Sequence, residues 1–435
     1  MICNYKLKRR QREEYLLQVP FLLPSRRDFS GVREHWREDA LAGVAVGVVA
    51  LPLALGFGIA TGTGAASGII TAIVAGFLAA LFGGSRFQVS GPTGAMTVVL
   101  IPIVERYGIS LIAIVGVIAG LLSIIAGLLR LGRVFARVPW SVLEGFTAGI
   151  GIVIALQQVP LALDIPKPEG GNSLFVAWET LHVITEGEVH PHAIAMTVLA
   201  IAIMLISTRI IKRVPASIVT VFLCTALAAL FNLSVVTIGA LPRTLPRPSL
   251  PEIPSGAWAA IISSALAVFA LGAIESVLSG KIAEGLAHSQ KKLHEQGDFD
   301  SNRELFGQGI ATVASATIGG IPATGAIART AVNVRSGAKT RLASMIHALF
   351  LLLCILIFAP IVGMIPVSAL AGILIVTALR MVNPRALLEA FVTTRSNAVT
   401  MVVTALSTVA LDLIRAVFIG IVVHFALSKI PSLNR

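Results

Sequence analysis

Charge is scarce in this chain. Only 13% of its 435 residues are Asp, Glu, Lys or Arg, against about 25% in a water-soluble domain. So few charges cannot coat a soluble protein of this length, and that class is excluded. Aromatic residues make up only 6%, so the stacking platforms of a single-strand nucleic-acid binder are missing as well. The three cysteines, Cys3, Cys224 and Cys354, are odd in number and widely spaced, which rules out a disulfide framework or a cysteine metal site. The basic start, MICNYKLKRRQREEYLL, lacks an apolar core and a small-residue cleavage site. It is therefore not a signal peptide, and the first spanning helix directs insertion.

What is abundant is apolar sequence, 56% of the chain, gathered in blocks of about 17–25 residues, the length that crosses a bilayer as a helix. The first set is Ala40–Thr61, Ala66–Phe82, Val89–Val104, Ile109–Leu129, Val142–Leu163, His192–Ser207 and Val214–Leu230. The second is Ala257–Leu278, Gly307–Ile321, Ala326–Val334, Leu342–Val362, Pro366–Val382, Ala398–Leu411 and Ile414–Leu427. The fold class is an all-α polytopic membrane protein with about 14 transmembrane segments, seven plus seven. A net charge of +12 would point a soluble protein toward nucleic acid, but here the basic residues occupy short segments between apolar blocks. Starting inside, 29 of the 34 Lys and Arg fall in cytoplasmic segments, leaving Arg106, Lys167, Arg243, Arg247 and Arg415 outside. This asymmetry puts both termini in the cytoplasm and removes nucleic acid as a partner.

The domain organisation follows. Residues 1–38 form a cytoplasmic N-terminal segment, 39–238 a first repeat of spans 1–7, 239–256 an external linker, 257–428 a second repeat of spans 8–14, and 429–435 a short tail. The external stretch Asp164–Val189, with Glu169, Glu179, Glu186 and Glu188, reads as exposed linker. Gly239–Ser255, with five prolines, reads as an extended strap.

Two spans are broken in the same way. Gln88-Val89-Ser90-Gly91-Pro92-Thr93-Gly94-Ala95-Met96 lies third in the first set, and Gly319-Gly320-Ile321-Pro322-Ala323-Thr324-Gly325-Ala326-Ile327 third in the second. Pro beside Gly prevents a continuous helix, so each span becomes an extended segment followed by a half-helix. Seven spans per half give the halves opposite orientation, and the two half-helices approach the midplane from opposite sides. That is the plan of an inverted-repeat transporter. Ordinary Pro/Gly kinks would not account for the matched placement.

Two half-helix N-termini facing one cavity offer free N–H groups and positive dipole ends, which select an anion. The candidate substrate-binding residues are Thr93, Gly94 and Ala95 with Thr324, Gly325, Ala326, Ile327 and Arg329. The threonines add hydroxyl donors, and Gly94 and Gly325 let a ligand approach the backbone. Arg329 either supplements the site or lines the cytoplasmic exit. Glu275 is the most isolated carboxylate within any block. Burial favours the neutral form of such a group, so it either couples anion movement to protons or serves as a neutral hydrogen-bond anchor. Ser279, one turn on, shares its face. Glu144 and Asp412 lie near block ends as interface charges, and His182, His190, His192, His347 and His424 show no ligand spacing. No HExxH, P-loop or strand–helix GxGxxG motif occurs, so no enzyme and no cofactor beyond a coupling ion is expected.

These residues resemble the SulP (sulfate permease) anion transporters, bacterial relatives of the animal solute-carrier anion exchangers and prestin. The resemblance is carried by Asp39-Ala40-Leu41-Ala42-Gly43 with Val49-Ala50-Leu51-Pro52, Gly91–Ala95, Gly145-Phe146-Thr147-Ala148-Gly149, Ala273-Ile274-Glu275-Ser276, Asn302–Gly309 and the run from Gly319 to Arg341. It implies a core domain (spans 1–4 and 8–11) moving elevator-like against a gate domain (spans 5–7 and 12–14), usually in a homodimer. The anion site would lie between the third and tenth spans, with Glu275 as the coupling carboxylate and Arg329 matching the family arginine. Carriers of this kind move sulfate, bicarbonate, chloride or C4-dicarboxylates in a bacterial inner membrane. A Glu at 275 resembles the proton-coupled members more than the sodium-coupled ones, which tend to have Asp. Two departures stand out: most members continue into a STAS domain where this chain stops at Arg435, and Lys281 falls where relatives are apolar, either perturbing Glu275 or snorkelling inward. The alternatives are a nucleobase permease on the same architecture, which would want a carboxylate in the tenth span, and a passive anion channel.

Overall fold

Lipid offers no partner to a backbone N–H or C=O group, so apolar spans satisfy these groups internally as helices. The computed structural model describes residues 22–168, 173–185, 190–210, 214–242, 244, 246–249, 256, 258–289, 299–382, 388–389, 394–411 and 413–429. Cys3, most of the N-terminal segment, Glu169, Glu186, Glu188, Arg243, Asp412 and nearly all of the C-terminal tail lie outside the described residues.

A 3-10 turn at Arg26–Phe29 precedes α1 (Val32–Ala60) and α2 (Ala65–Phe82). Next come β1 (Ser90–Gly91), α3 (Gly94–Tyr107), α4 (Ser110–Leu128), the single turn α5 (Gly132–Phe135), α6 (Trp140–Gln157), α7 (Val159–Leu163), α8 (Ser173–Thr185), α9 (Pro191–Ile210) and α10 (Ala216–Leu230). The remainder is α11 (Trp258–Ser289), α12 (Ser301–Thr317), β2 (Thr324–Gly325), α13 (Ile327–Arg335), α14 (Leu342–Gly363), α15 (Val367–Leu379), α16 (Arg395–Ala410) and α17 (Leu413–Leu427). Among the described residues, seven helical stretches are long and apolar enough to cross a bilayer, and several shorter apolar helices accompany them. The chain is a polytopic, mostly helical membrane protein.

Three expectations change. The helix expected to end near Leu278 runs on to Ser289, because the polar turns after Gly280 keep helical spacing. The block Val142–Leu163 is two helices, α6 and α7, with Pro160 at the start of the second. The stretch read as exposed linker contains α8, which buries Val176, Ala177 and Thr180. One face of its short apolar run, Val176 and Ala177, packs on neighbours, while Leu174, Phe175 and Trp178 stay exposed.

Helices in lipid associate by close packing of small residues. Along α4, Gly116, Gly120 and Gly127 face α12, where an added Cβ would come within 2.8 Å of Ala316, Val313 or the Asn302 carbonyl. On α1, Gly43 and Gly47 accept Ile346 and Phe350 of α14 in the same manner. Most of the helix packing falls into two groups, which meet where α1 touches α15 and α10 and α3 touches α6. In one, α1 lies on α14, α2 and α13, while α11 lies on α4, α12 and α3, and α12 also packs on α2 and α4. In the other, α6 lies on α16 and α15, α9 on α15 and α10, and α16 on α17.

Polar clamps close one end of the first group. Buried Asp39 of α1 accepts from the Lys339 and Thr340 N–H groups (2.7 and 3.0 Å) and from the Thr340 hydroxyl (2.5 Å), fixing the turn after α13. Asp28 takes a bidentate bond from Arg303 (2.6 and 2.9 Å) and a third from Arg341 (3.2 Å). Burial alone would push the Asp28 carboxyl up. The hydrogen bonds from Arg303 and Ser25 and the charges of Arg341 and Arg303 outweigh it and hold the group well below the usual carboxylate range.

Candidate functional site

Each broken span becomes an extended crossing. Ser90 pairs with Gly325 and Gly91 with Thr324 in a two-residue antiparallel bridge, the one two-stranded sheet among the described residues. The half-helices α3 and α13 leave this bridge immediately, so their N-termini sit side by side. Thr93 caps α3, its Oγ1 accepting from the Met96 N–H at 3.3 Å. At α13 the cap is Ala326, with no side-chain partner for the first N–H groups. The Ala326 N–H itself goes to the Val89 carbonyl (2.9 Å), extending the bridge. The first turns of both half-helices thus keep N–H groups that no intrahelical carbonyl can use. Ala95 and Ala326 are buried, Ile327 is half-buried and Ala328 is exposed, so the start of α13 meets open space on one side.

The two threonines meet. Thr93 Oγ1 and Thr324 Oγ1 are 3.1 Å apart, and each also lies within hydrogen-bond reach of one oxygen of Glu275 on α11, at 3.0 and 2.6 Å. Three oxygens, Glu275 Oε2 and the two hydroxyls, therefore form a closed triangle. Arg329 is 2% exposed and reaches back across the bridge to donate from Nη2 to the Pro92 carbonyl at 2.7 Å, while its Nη1 has no partner. It lies in the first turn of α13, nearer the crossing than sequence spacing indicated. A buried, half-satisfied guanidinium beside two helix N-termini makes the region strongly electropositive, with Glu275 the one carboxylate in the triangle.

Other expected residues take different places. Ser279 is buried and bonds Thr330 Oγ1 (3.2 Å), which in turn accepts from the Val89 N–H (3.0 Å); Ser279 therefore braces the crossing instead of joining Glu275. Ser276 does more locally, accepting from the Gly325 N–H at 3.0 Å. The space beside both site glycines is already filled: a Cβ at Gly94 would lie 1.9 Å from Ile154 Cδ1 of α6, and one at Gly325 1.9 Å from Gln88 Nε2. These glycines make room for protein side chains. Lys281 donates to the Ala136 carbonyl (2.5 Å). His347 is buried in α14, and no cluster of His, Cys, Asp and Glu among the described residues has metal-site geometry.

Sequence reasoning missed a layer beneath the bridge. Glu304 and Gln308, one turn apart on α12, are both buried and join Gln88 and Ser90 around the extended segment. The only local signal is the i, i+4 spacing of Glu304 and Gln308, in a helix that carries several other polar residues.

Two half-helices paired through a short bridge, with an arginine and a carboxylate at their tips, define a membrane carrier of small charged solutes. Residues 36–404 match the profile described as the Sulfate permease family, and the chain belongs to that family of anion transporters. YvdB of Bacillus subtilis (strain 168) is 34% identical over 398 residues, covering 90% of this chain and 73% of that protein. The transmembrane domain of the cyanobacterial bicarbonate transporter BicA superposes with a TM-score of 0.79 at 30% identity, covering 90% of this chain and 97% of that one. SLC26A9 shares the fold with a TM-score of 0.80 at 16% identity, covering 91% of this chain and 65% of its own. The protein is an integral membrane transporter and not an enzyme.

Proposed function

We propose that this protein is a secondary active transporter carrying a small inorganic anion, with sulfate and bicarbonate foremost, or a C4-dicarboxylate, in symport with protons. The observation that carries the reading is the triangle of Glu275, Thr93 and Thr324 at the tips of the half-helices. Two hydroxyls bring two hydrogens to three oxygen–oxygen edges. A third hydrogen, on the Glu275 carboxyl, completes the ring. An ionised Glu275 leaves the Thr93–Thr324 edge without a hydrogen and places a negative charge beside the anion. Proton and anion therefore favour each other's binding, which is the thermodynamic requirement for symport. Sodium in place of the proton is the alternative coupling ion. The anion itself would be held by the first-turn N–H groups at residues 94–95 and 327–328, the threonine hydroxyls and Arg329, with Gly325 and Ala326 forming the wall beside them.

The reading includes a seven-plus-seven inverted repeat. Its support is that helix contacts recur in pairs: α1 on α14 with α11 on α4, α2 on α14 with α12 on α4, and α6 on α16 with α15 on α9. An antiparallel bridge between the two broken segments is what a two-fold axis in the membrane plane requires. The reading also includes elevator-like movement, supported by the two packing groups: every site residue belongs to the first, and Ile154 of the second lies against Gly94. A homodimer in the bacterial plasma membrane, with both termini cytoplasmic, completes it. A nucleobase permease is not favoured, since α13 presents an arginine where base recognition wants a carboxylate.

The test is uptake by proteoliposomes, assayed with sulfate, bicarbonate, chloride, fumarate and succinate, each with and without an inwardly directed proton gradient. Uphill accumulation of at least one anion, driven by the gradient, is expected. Flux that is only downhill for every anion would make the protein a channel and overturn the proposal.

A further inference from the structure

Buried carboxylates are costly unless fully hydrogen-bonded, and one that meets this condition lies outside the triangle, directly against the bridge. Glu304 of α12 is 1% exposed. Its Oε1 accepts from Gln88 Nε2 at 2.7 Å and Gln308 Nε2 at 3.0 Å, and its Oε2 accepts from the Gly84 N–H at 2.9 Å. Both amides carry the contact onward. Gln308 Nε2 also bonds the Ser90 hydroxyl of β1. The Gln88 side chain fills the space beside Gly325 of β2, where a Cβ would stand 1.9 Å from its Nε2. One carboxylate thus grips both strands of the bridge, β1 through Gln308 and β2 through Gln88. It also anchors the start of the extended segment at Gly84.

We infer that Glu304 is a positioning residue for the anion site, holding β1 and β2 in register so that Thr93 and Thr324 face each other and both half-helix N-termini point at one place. This rests on the proposed site. It assigns Glu304 no contact with the anion and no part in proton transfer, because its amide partners do not relay protons. The arrangement has a further consequence. The Oε1 atoms of Gln88 and Gln308 have no partners, so an amide placed at 304 recovers acceptors if one of them turns. Glu304→Gln should therefore be mild where Glu304→Ala is severe.

The test uses the full chain with Cys3, Cys224 and Cys354 replaced by serine and with Thr93→Cys and Thr324→Cys added. Disulfide formation between the two new thiols is followed by loss of free-thiol labelling, which needs no knowledge of the transported anion. Glu304→Ala should slow it by roughly tenfold, and Glu304→Gln by about threefold or less, the sensitivity expected when groups in contact are displaced by a fraction of an ångström. In chains with native threonines, labelled sulfate is the transport probe. Glu304→Ala should raise its half-saturation concentration by roughly tenfold and change maximal rate far less. Wild-type cross-linking rates in Glu304→Ala, with lowered thermal midpoint alone, would reduce Glu304 to a stability residue and overturn the inference. Should Glu304→Ala not reach the membrane, an unchanged cross-linking rate in Glu304→Gln together with Gln308→Ala would do the same. If the wild type moves no sulfate, the proposed substrate is wrong, while the cross-linking result still decides the role of Glu304.

Discussion

Replacing Glu275 by Gln isolates charge from shape. Both threonine hydroxyls reach the same carboxylate oxygen, Oε2, at 3.0 and 2.6 Å. A glutamine whose carbonyl oxygen takes that place keeps both bonds, so the crossing should lose less than about 1 kcal/mol of stability. What it loses is the titratable proton. A one-unit pH gradient supplies about 1.4 kcal/mol for each proton carried, enough for roughly tenfold accumulation of an anion moved with one net proton. With the membrane potential clamped, wild-type proteoliposomes should approach that ratio, and Glu275→Gln should stop at equal concentrations inside and out. Anion exchange at equilibrium, which needs no net proton movement, should survive. A Glu275→Gln protein that still concentrates sulfate or bicarbonate to the wild-type ratio would refute the coupling role. Glu275→Ala is the contrast, because it strips both hydroxyls of their acceptor and should cost about 1–3 kcal/mol in addition to coupling.

Gly94→Ala should destabilise the protein by about 1–3 kcal/mol through overpacking against Ile154, and Ile154→Val, which removes Cδ1, should recover part of the thermal midpoint and of the transport rate. Asp28 is held ionised below its ordinary range. Its contribution, about 2 kcal/mol for charge-assisted bonds to two arginines, should be complete above the unfolded value of about pH 4 and fade as pH falls toward its lower folded one. The thermal midpoints of wild type and Asp28→Asn should therefore differ by a constant amount from pH 5 to 8 and converge in acid; a gap that widens in acid would contradict this. Lys167 and Glu105 form a 2.6 Å ion pair that is about one-third exposed. Lys167→Gln should shift stability by at most about 1 kcal/mol, and less at high salt.

Much of this architecture is legible in residues alone. Scarce charge, apolar blocks of bilayer length and the skewed placement of Lys and Arg specify a polytopic membrane protein, because hydrocarbon penalises every exposed polar group in the same way wherever it lies. Paired Pro-Gly breaks mark where the helices stop, because proline lacks an N–H and restricts its own φ and the preceding residue's conformation locally. Those constraints act over a few residues, and sequence displays them.

Which side chain answers which is another matter. Glu275, Thr93 and Thr324 are separated by 182 and 49 residues, and their meeting depends on how three helices and two short strands pack. Ser279 shares a helix face with Glu275, yet it bonds Thr330, because α13 lies beside that turn. Gly94 and Gly325 looked like openings for a ligand, and packing filled them with Ile154 and Gln88. Glu304 gave little hint of its grip on both strands, since its partners come from residues more than two hundred positions earlier as well as from its own helix. Periodicity and backbone chemistry determine where helices form and break, while the directional bonds that shape the site exist only after distant segments have been brought within 3 Å of one another.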